Sequence, residues 1–404
     1  MPALYGMEKL KAKLNVKKIG VAKRYRYYDM HICSELAKKD MPMEFQWLRA
    51  VLGWCGKSVD SLADRLVFKG FRDDFFDAMG IFQANNPDII WDSAVLAALI
   101  GSCSFIYIAP DKNGFPRMRV IDGMNATGVI DPVTYMLLEG YAVLDRDNNG
   151  KPLLEAYFLP GSTQYFPKDK PAYEIKNVAP YPLLVPIIYR PDATRAFGHS
   201  RISRACMSIT REAMRTLQRA DIASEFYSYP QRYVLGMSDD AEAFDKWSAA
   251  VSAFLRIDKD EEGSVPSVGQ FAQQSMSPFA DQIRMLAGLF AGETGLTLDD
   301  LGMPSQNPSS AEAIKASHEQ LRLTARKAQR SFGTGFLNAG FLGACIRDDY
   351  TYQRQQAYMT QPVWAPIFEP DASQLSGIGD AIGKIQAAFP DYFTEDKLNE
   401  LTGI

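Results

Sequence analysis

At 404 residues, with 47% hydrophobic and 12% aromatic residues, the chain is too long for one small core and too apolar to be disordered, so two or three packed regions are expected. Its 44 Lys and Arg against 48 Asp and Glu leave a formal net charge of -4, which excludes a bulk polyanion-binding surface and confines any nucleic-acid contact to local patches. Five scattered cysteines, Cys33, Cys55, Cys103, Cys206 and Cys345, form no CxxC pair, and only His31, His199 and His318 accompany them. Neither a zinc site nor a cofactor is expected, and the thiols read as reduced and buried.

Residues 1 to 29 form an N-terminal arm rich in Lys, Arg and Tyr, including Lys17-Lys18 and Lys23-Arg24-Tyr25-Arg26-Tyr27-Tyr28. Basic residues interleaved with aromatics can hold nucleic acid; an arm draped on a neighbouring subunit is the other reading. Met1 to Leu14 lacks the uninterrupted apolar run of a secretory signal. From Met43 to Ala98 the pattern is helical, broken at Gly53, Gly56, Gly70 and Gly80. Gly53-Trp54-Cys55-Gly56-Lys57-Ser58 ends like a phosphate loop, but the glycine required five positions before Gly56 is Val51, so the ATPase reading fails. Ser93 to Ala109 carries no charge and approaches the roughly 18 residues of a membrane span. Gly101-Ser102-Cys103-Ser104 interrupts it, which predicts a buried helix running into a buried strand and no membrane partner.

Between residues 104 and 190 the period changes to two. Phe105–Ile108, Met118–Ile121, Tyr141–Leu144, Leu153–Phe158 and Leu184–Tyr189 read as strands separated by turns such as Asp111-Lys112-Asn113-Gly114, a small antiparallel region of about six strands. Asp145 to Gly150 imitates a calcium loop, yet its bidentate position holds Ala156 and a hairpin is expected. Gly198-His199-Ser200-Arg201-Ile202 lacks the closing glycine of a nucleophile elbow. Ser200 to Tyr227 then forms a helical pattern free of Gly and Pro. Arg201, Arg204, Arg211, Arg215 and Arg219 fall on one stripe of it, opposite Ile202, Ile209, Ala213, Leu217 and Ala220. Such a stripe suits phosphates or a neighbour's carboxylates.

Tyr229-Pro230 ends that helix. Gln231 to Gly236 reads as a strand, Asp239 to Leu255 as a helix and Val265 to Phe271 as an extended return, with the acidic loop Asp258-Lys259-Asp260-Glu261-Glu262-Gly263 between. The position that would close a calcium site there is Gly269. Ser277-Pro278-Phe279-Ala280-Asp281 opens a helix, and Leu301 to Ser310, with two prolines and a glycine, breaks it. A second helix restarts at Ser309 or Ser310, with Leu321, Ala325, Ala328 and Phe332 on one side and Lys315, His318, Arg322, Arg326 and Arg330 on another. Gly333, Gly335, Gly340 and Gly343 then mark a kinked, close-packed continuation. Residues 348 to 370 are polar and proline-marked, the tail from Ser373 holds one or two short helices, and Gly377 to Gly383 lacks the βαβ setting of a dinucleotide motif.

The fold class is therefore α+β, mainly helical. The order of parts, a helical and β region, a helix, a compact excursion, a second helix, a loop and a long basic-striped helix, resembles that of the phage portal protein family. Gly198-His199-Ser200-Arg201-Ile202-Ser203, Ser275-Met276-Ser277-Pro278, and Glu293-Thr294-Gly295-Leu296 to Leu301-Gly302 followed by Asn307-Pro308-Ser309-Ser310-Ala311-Glu312-Ala313-Ile314 carry the resemblance, over roughly residues 40 to 350. It implies a wing (30–199 and 296–349, with the β region and the long helix 310–347), a two-helix stem (200–228 and 277–295), an α/β clip (229–276), a tunnel loop (302–310) and a reduced, helical crown (350–404).

It further implies a ring of twelve subunits at a capsid vertex of the virion, assembled in the host cytoplasm and acting as the conduit for double-stranded DNA packaging and ejection. The terminase large subunit, a head-completion adaptor, and the major capsid and scaffolding proteins are the implied partners. Ser305, Gln306, Asn307 and Ser309 would face DNA through weak hydrogen bonds, since no basic residue lies between Leu301 and Ala313. Arg201, Arg204, Arg211, Arg215, Arg219 and Arg284 would line the stem channel or join subunits, and Asp258, Asp260, Glu261 and Glu262 would present the clip to partners. A tail or baseplate adaptor ring accounts for the mixed content but not for two helices flanking a compact excursion. An enzyme would need a constellation that each candidate motif lacks.

Overall fold

The computed structural model describes residues 4–33, 47–72, 76–228, 232–235, 267–270, 275–303, 316–368 and 372–390, with Tyr392 and Leu398. Two compact units divide the chain: Met1–His31, Gly53–Met207 and Ala291–Ile404 form one, Ile32–Leu52 and Ser208–Phe290 the other. Helices and antiparallel sheets are mixed, as the periodicities predict.

In the first unit, β2 (Cys103–Pro110) is the centre of a three-stranded sheet between β3 (Pro116–Asp122) and β9 (Leu184–Ile188). Alternate residues of a strand face opposite ways, so one face carries Ser104 and Ile187 and the other Phe105 and Tyr107. Helix α4 (Pro87–Gly101) lies on the first face, where the Ser104 hydroxyl donates to the Ala94 carbonyl at 2.6 Å. The second face meets a five-stranded sheet of β4 (Ala126–Ile130), β5 (Leu137–Arg146), β6 (Pro152–Leu159), β7 (Ser162–Pro167) and β8 (Tyr173–Lys176), in that order. Tyr107 and Phe158 rings lie 5.5 Å apart across this interface, and the Tyr107 and Tyr165 hydroxyls are 2.8 Å apart. The region thus holds eight strands in two packed sheets rather than about six. The short β4 and β7 and the fully exposed β8 carry too few apolar residues to register as a period of two.

Helix α1 (Met7–Tyr28) covers the outer face of the five-stranded sheet, with Leu10 and Leu14 packed on Tyr141, Val143 and Tyr157. Over these residues the expected N-terminal arm is a helix seated on its own chain. The helical reading of Met43–Ala98, broken only at glycines, also gives way: between α2 (Trp54–Ala63) and α3 (Ala78–Gln83) lies β1 (Phe68–Arg72), paired with β12 (Gln361–Trp364). Phe68 of β1 sits 5.3 Å from Trp91, 4.8 Å from Phe336 and 5.1 Å from Trp364, and this aromatic cluster rewards an extended segment that helical periodicity alone does not reveal.

Helix α5 (Arg204–Ser228) begins four residues later than expected, and α6 spans Ser277–Thr294. Helix α7 (Glu319–Arg347) runs through the glycine-rich segment as one α-helix, without the expected kink. Its described start is Glu319, because His318 has φ -91° and ψ 4°; residues 310–315 of the expected 310–347 helix lie outside the described residues. The glycines allow close approach: a Cβ on Gly335 would lie 2.8 Å from Ile187 Cδ1 and 3.2 Å from the Pro186 carbonyl of β9. Among the described residues the tail contributes one 17-residue helix, α8 (Ala372–Ala388).

In the second unit, Ala213, Met214, Leu286, Ala287 and Phe290 are buried, and the Gln218 amide donates to the Leu48 carbonyl at 2.9 Å. β10 (Arg232–Leu235) and β11 (Ser267–Gln270) pair antiparallel, as the strand and extended return predict. The expected helix 239–255 lies outside the described residues.

Candidate functional site

The segment Gly198–Ser203 is a hydrogen-bonded knot within the first unit that meets α1, α2, α4, the first turn of α5 and the last turn of α6. Gly198 has φ +69°, and a Cβ there would lie 2.1 Å from the Tyr189 carbonyl oxygen, so only glycine fits. The Ser200 hydroxyl reaches the Ile100 carbonyl at the end of α4 (2.7 Å) and the Ile202 backbone N–H donates back to it at 3.0 Å. Arg201 is 7% exposed; its guanidinium donates to the Ser58 carbonyl of α2 (3.2 Å) and to the Thr294 carbonyl at the end of α6 (2.5 Å). A cation at a helix C-terminus is favourably placed against the dipole. The Ser203 hydroxyl accepts from the Cys206 N–H at 3.1 Å, capping α5, and donates to Glu293 at 2.7 Å. Burial pushes the Cys206 thiol above its ordinary range.

Arg201 is therefore neither on the α5 stripe nor available to a channel or a neighbour: its side chain ties three elements together, which overturns that expectation. The other arginines keep the predicted arrangement. Arg204, Arg211 and Arg219 are exposed on one face of α5, and Arg215 is half-buried, 3.6 Å from Glu212. Arg284 is exposed on α6. Ser305, Gln306, Asn307 and Ser309 of the tunnel loop, and Asp258, Asp260, Glu261 and Glu262 of the clip, lie outside the described residues.

Two arginines beside the knot, Arg24 of the basic N-terminal stretch and Arg195, are placed there by the fold. Arg24 of α1 donates from Nε to the Ile202 carbonyl (3.3 Å) and from Nη1 to the Gly20 carbonyl (3.0 Å). Burial lowers its pKa, and the nearby charges of Arg204 and Arg195 lower it further. Arg195 lies in the turn before the knot, 3.3 Å from His199 Nδ1, while His199 Nε2 is 2.5 Å from Asp192. Hydrogen bonds from His199, Thr194 and Arg195 hold the Asp192 carboxyl well below the usual carboxylate range. Helical periodicity separates Arg24 from Arg204 by 180 residues, so no local signal could have joined them. Among the described residues no cluster of three or more His, Cys, Asp or Glu side chains suits a metal ion, and no helix is long and apolar enough to cross a membrane.

The knot is an interior arginine and serine network that holds helix ends through main-chain carbonyls. No family model matches the chain. The chain is 29% identical over 359 residues to the portal protein of Mycobacterium phage L5, covering 82% of this chain and 72% of that one. To the portal protein of Mycobacterium phage D29 it is 26% identical over 333 residues, covering 76% and 67%. The chain is thus a relative of phage portal proteins. Among solved structures, the neck of the native gene transfer agent particle computed with C12 symmetry overlaps 87% of this chain and 89% of its own at 13% identity, with a TM-score of 0.40. The neck of the empty particle computed with C6 symmetry overlaps 87% and 90% at the same identity and score. A superposition that loose does not bear on the fold.

Proposed function

We propose that this chain is the subunit of a portal ring, twelve copies set at a capsid vertex of the virion, through which double-stranded DNA is packaged and ejected. The observation that carries the reading is the identity shared with two portal proteins over more than three quarters of the chain. The division into wing, stem, clip and reduced crown given by the resemblance belongs to this proposal, as do assembly in the host cytoplasm and docking of the terminase large subunit, a head-completion adaptor, and the capsid and scaffolding proteins. The subunit acts as a passive conduit. Its DNA contacts are weak and replaceable, so that DNA slides, and Gln306, Asn307, Ser305 and Ser309 offer uncharged hydrogen-bonding groups suited to that role. The acidic clip residues Asp258, Asp260, Glu261 and Glu262 face the packaging motor and then the adaptor. Arg211, Arg215, Arg219 and Arg284 line the stem channel or pair with carboxylates of adjacent subunits.

Negative-stain imaging of the purified full chain tests the reading. Rings with a central hole are expected; a homogeneous monomer under all assembly conditions overturns it.

A further inference from the structure

Lys17 of α1 places its Nζ 2.8 Å from the Sγ of Cys103, the first residue of β2. Sulfur is a weak acceptor for a lysine, yet among the described residues it is the one hydrogen-bond or ion-pair partner that Lys17 has. The same nitrogen lies 4.8 Å from the Phe197 ring centroid and 5.5 Å from that of Phe105. Cys103 is wholly buried and Lys17 half-buried. A Cβ on Gly123, just past β3, would lie 2.8 Å from the Cys103 carbonyl oxygen and 3.7 Å from Lys17 Nζ, so the chain there crowds both members of the pair.

Nitrogen and sulfur are thus held in contact by two elements 86 positions apart in sequence. A serine hydroxyl would accept the same hydrogen bond better; what sulfur adds is redox chemistry, because a thiol oxidised to the sulfenic acid condenses with a neighbouring nucleophile. Cys103 has no disulfide partner, and the nucleophile in reach is the Lys17 amine. Burial keeps bulky thiols from the sulfur, whereas hydrogen peroxide, little larger than water, reaches it through local openings of α1. A direct S–N bond would require the two atoms to close well inside 2.8 Å, while a single bridging oxygen fits between them with little movement.

We propose that Lys17 and Cys103 are a peroxide-dependent cross-linking site, in which one oxygen joins Lys17 Nζ to Cys103 Sγ and staples α1 to β2. A first hydrogen peroxide oxidises the thiol: its O–O bond breaks, an S–O bond forms, and one water leaves with the thiol hydrogen, giving the sulfenic acid. The Lys17 ammonium gives a proton to solvent, and its nitrogen then bonds to the sulfenic oxygen. A second peroxide takes up the two electrons released, and the hydrogens lost from nitrogen and from the sulfenic oxygen depart in two waters. Thiol and amine are oxidised, both peroxides are reduced, and a thiol reductant that attacks the sulfur reverses the link. The proposal is independent of the portal reading.

The test is peptide mass spectrometry of the unaltered full chain, treated with millimolar hydrogen peroxide while folded and digested without reductant. A peptide pair joined through Lys17 and Cys103 is expected, heavier than the sum of its two parts by about 14 Da, one oxygen gained and two hydrogens lost. It is expected to vanish after treatment with dithiothreitol, and to be absent from Lys17→Gln and from Cys103→Ser. Because the primary readout uses the unaltered protein, it does not depend on either variant folding. The stapled chain is also expected to unfold at a urea concentration higher by on the order of 0.5 M, since the link closes a long loop. A joined pair lighter than its parts by about 2 Da means a direct S–N bond and overturns the bridging oxygen. Oxidation of Cys103 to the sulfinic acid alone, about 32 Da heavier and unlinked, overturns the site, as does an unmodified Cys103 in a sample whose Cys33 is oxidised. A linked pair that persists in Lys17→Gln assigns the link to another amine, and a bridge that leaves the urea midpoint unmoved removes the staple. Absence of rings counts against the portal reading alone, because the cross-link is read within one chain.

Discussion

The carboxylate of Glu139, wholly buried in β5, accepts the backbone N–H of Tyr5 at 2.6 Å and that of Gly6 at 3.1 Å. A strand residue thereby holds the two residues, 134 and 133 positions earlier, that lead into a helix, and places a negative charge near that helix's positive end. The Tyr157 hydroxyl donates to the same carboxylate at 2.6 Å. Glu139→Gln leaves one acceptor oxygen for three donors and turns an amide toward an N–H or O–H. The expected loss is about 2 kcal/mol, as for hydrogen bonds to a charged group, read as a lower urea midpoint with faster proteolysis between residues 7 and 28. An unchanged midpoint would show that this carboxylate is not needed to hold the start of α1.

Gly335 lets α7 settle on β9. An added Cβ meets the Pro186 main-chain oxygen and Ile187, and a backbone cannot yield as a flexible side chain can. Gly335→Ala is expected to destabilise by about 1–3 kcal/mol despite the better helix propensity of alanine, the cost of overpacking outweighing a gain of about 1 kcal/mol. Thermal unfolding measures the sign, and a stabilised variant would mean that the helix can move outward freely.

The Tyr28 hydroxyl donates to Asp60 at 2.8 Å, and burial together with that carboxylate pushes the Tyr28 pKa up to about 12. A pKa raised on folding stabilises the protein below the unfolded value, and that contribution disappears as pH climbs through the folded value. Tyr28→Phe is expected to be less stable than the parent by about 1 kcal/mol at neutral pH, with the difference closing between about pH 10 and about pH 12. Urea unfolding of both proteins across that range is the measurement; a difference that persists to high pH contradicts the assignment.

Arg201 stands where sequence and structure part most clearly. By spacing it belongs with Arg204, Arg211, Arg215 and Arg219, and periodicity correctly placed those four together. What periodicity cannot see is where the helix starts, because Ser203 caps it only once the chain has folded back against α4. The same limit explains β1, whose Phe68 becomes a strand residue through contacts with Trp91, Phe336 and Trp364, all distant in sequence. The paired strands β10 and β11 and the buried stripe Leu321, Ala325, Ala328 and Phe332 were legible because local alternation and helical spacing specify them directly. The hydrogen bond from Arg24 to the Ile202 carbonyl was not, since its ends lie 178 residues apart. Arg201→Met tests the structural role: it removes donors from two buried carbonyls and is expected to cost about 3 kcal/mol, within the range for breaking a buried charged network. A variant that retains full stability but loses DNA transport would return Arg201 to the channel.

The proposed tunnel loop separates assembly from transport. Residues Gln306–Ser309 are uncharged, and replacing phosphate contacts one after another costs little when each is a single neutral hydrogen bond. A loop of that kind guides DNA without gripping it, whereas lysines would add a salt-dependent hold that opposes sliding. Deleting Gln306 to Ser309 is therefore expected to leave rings intact by negative-stain imaging while lowering the amount of DNA packaged per particle in an in vitro packaging reaction. Replacing Gln306 and Asn307 by lysine is expected to slow packaging as well, with partial recovery as salt is raised. Normal packaging by the deletion would remove the loop from the DNA path, and loss of rings would make it an assembly element instead.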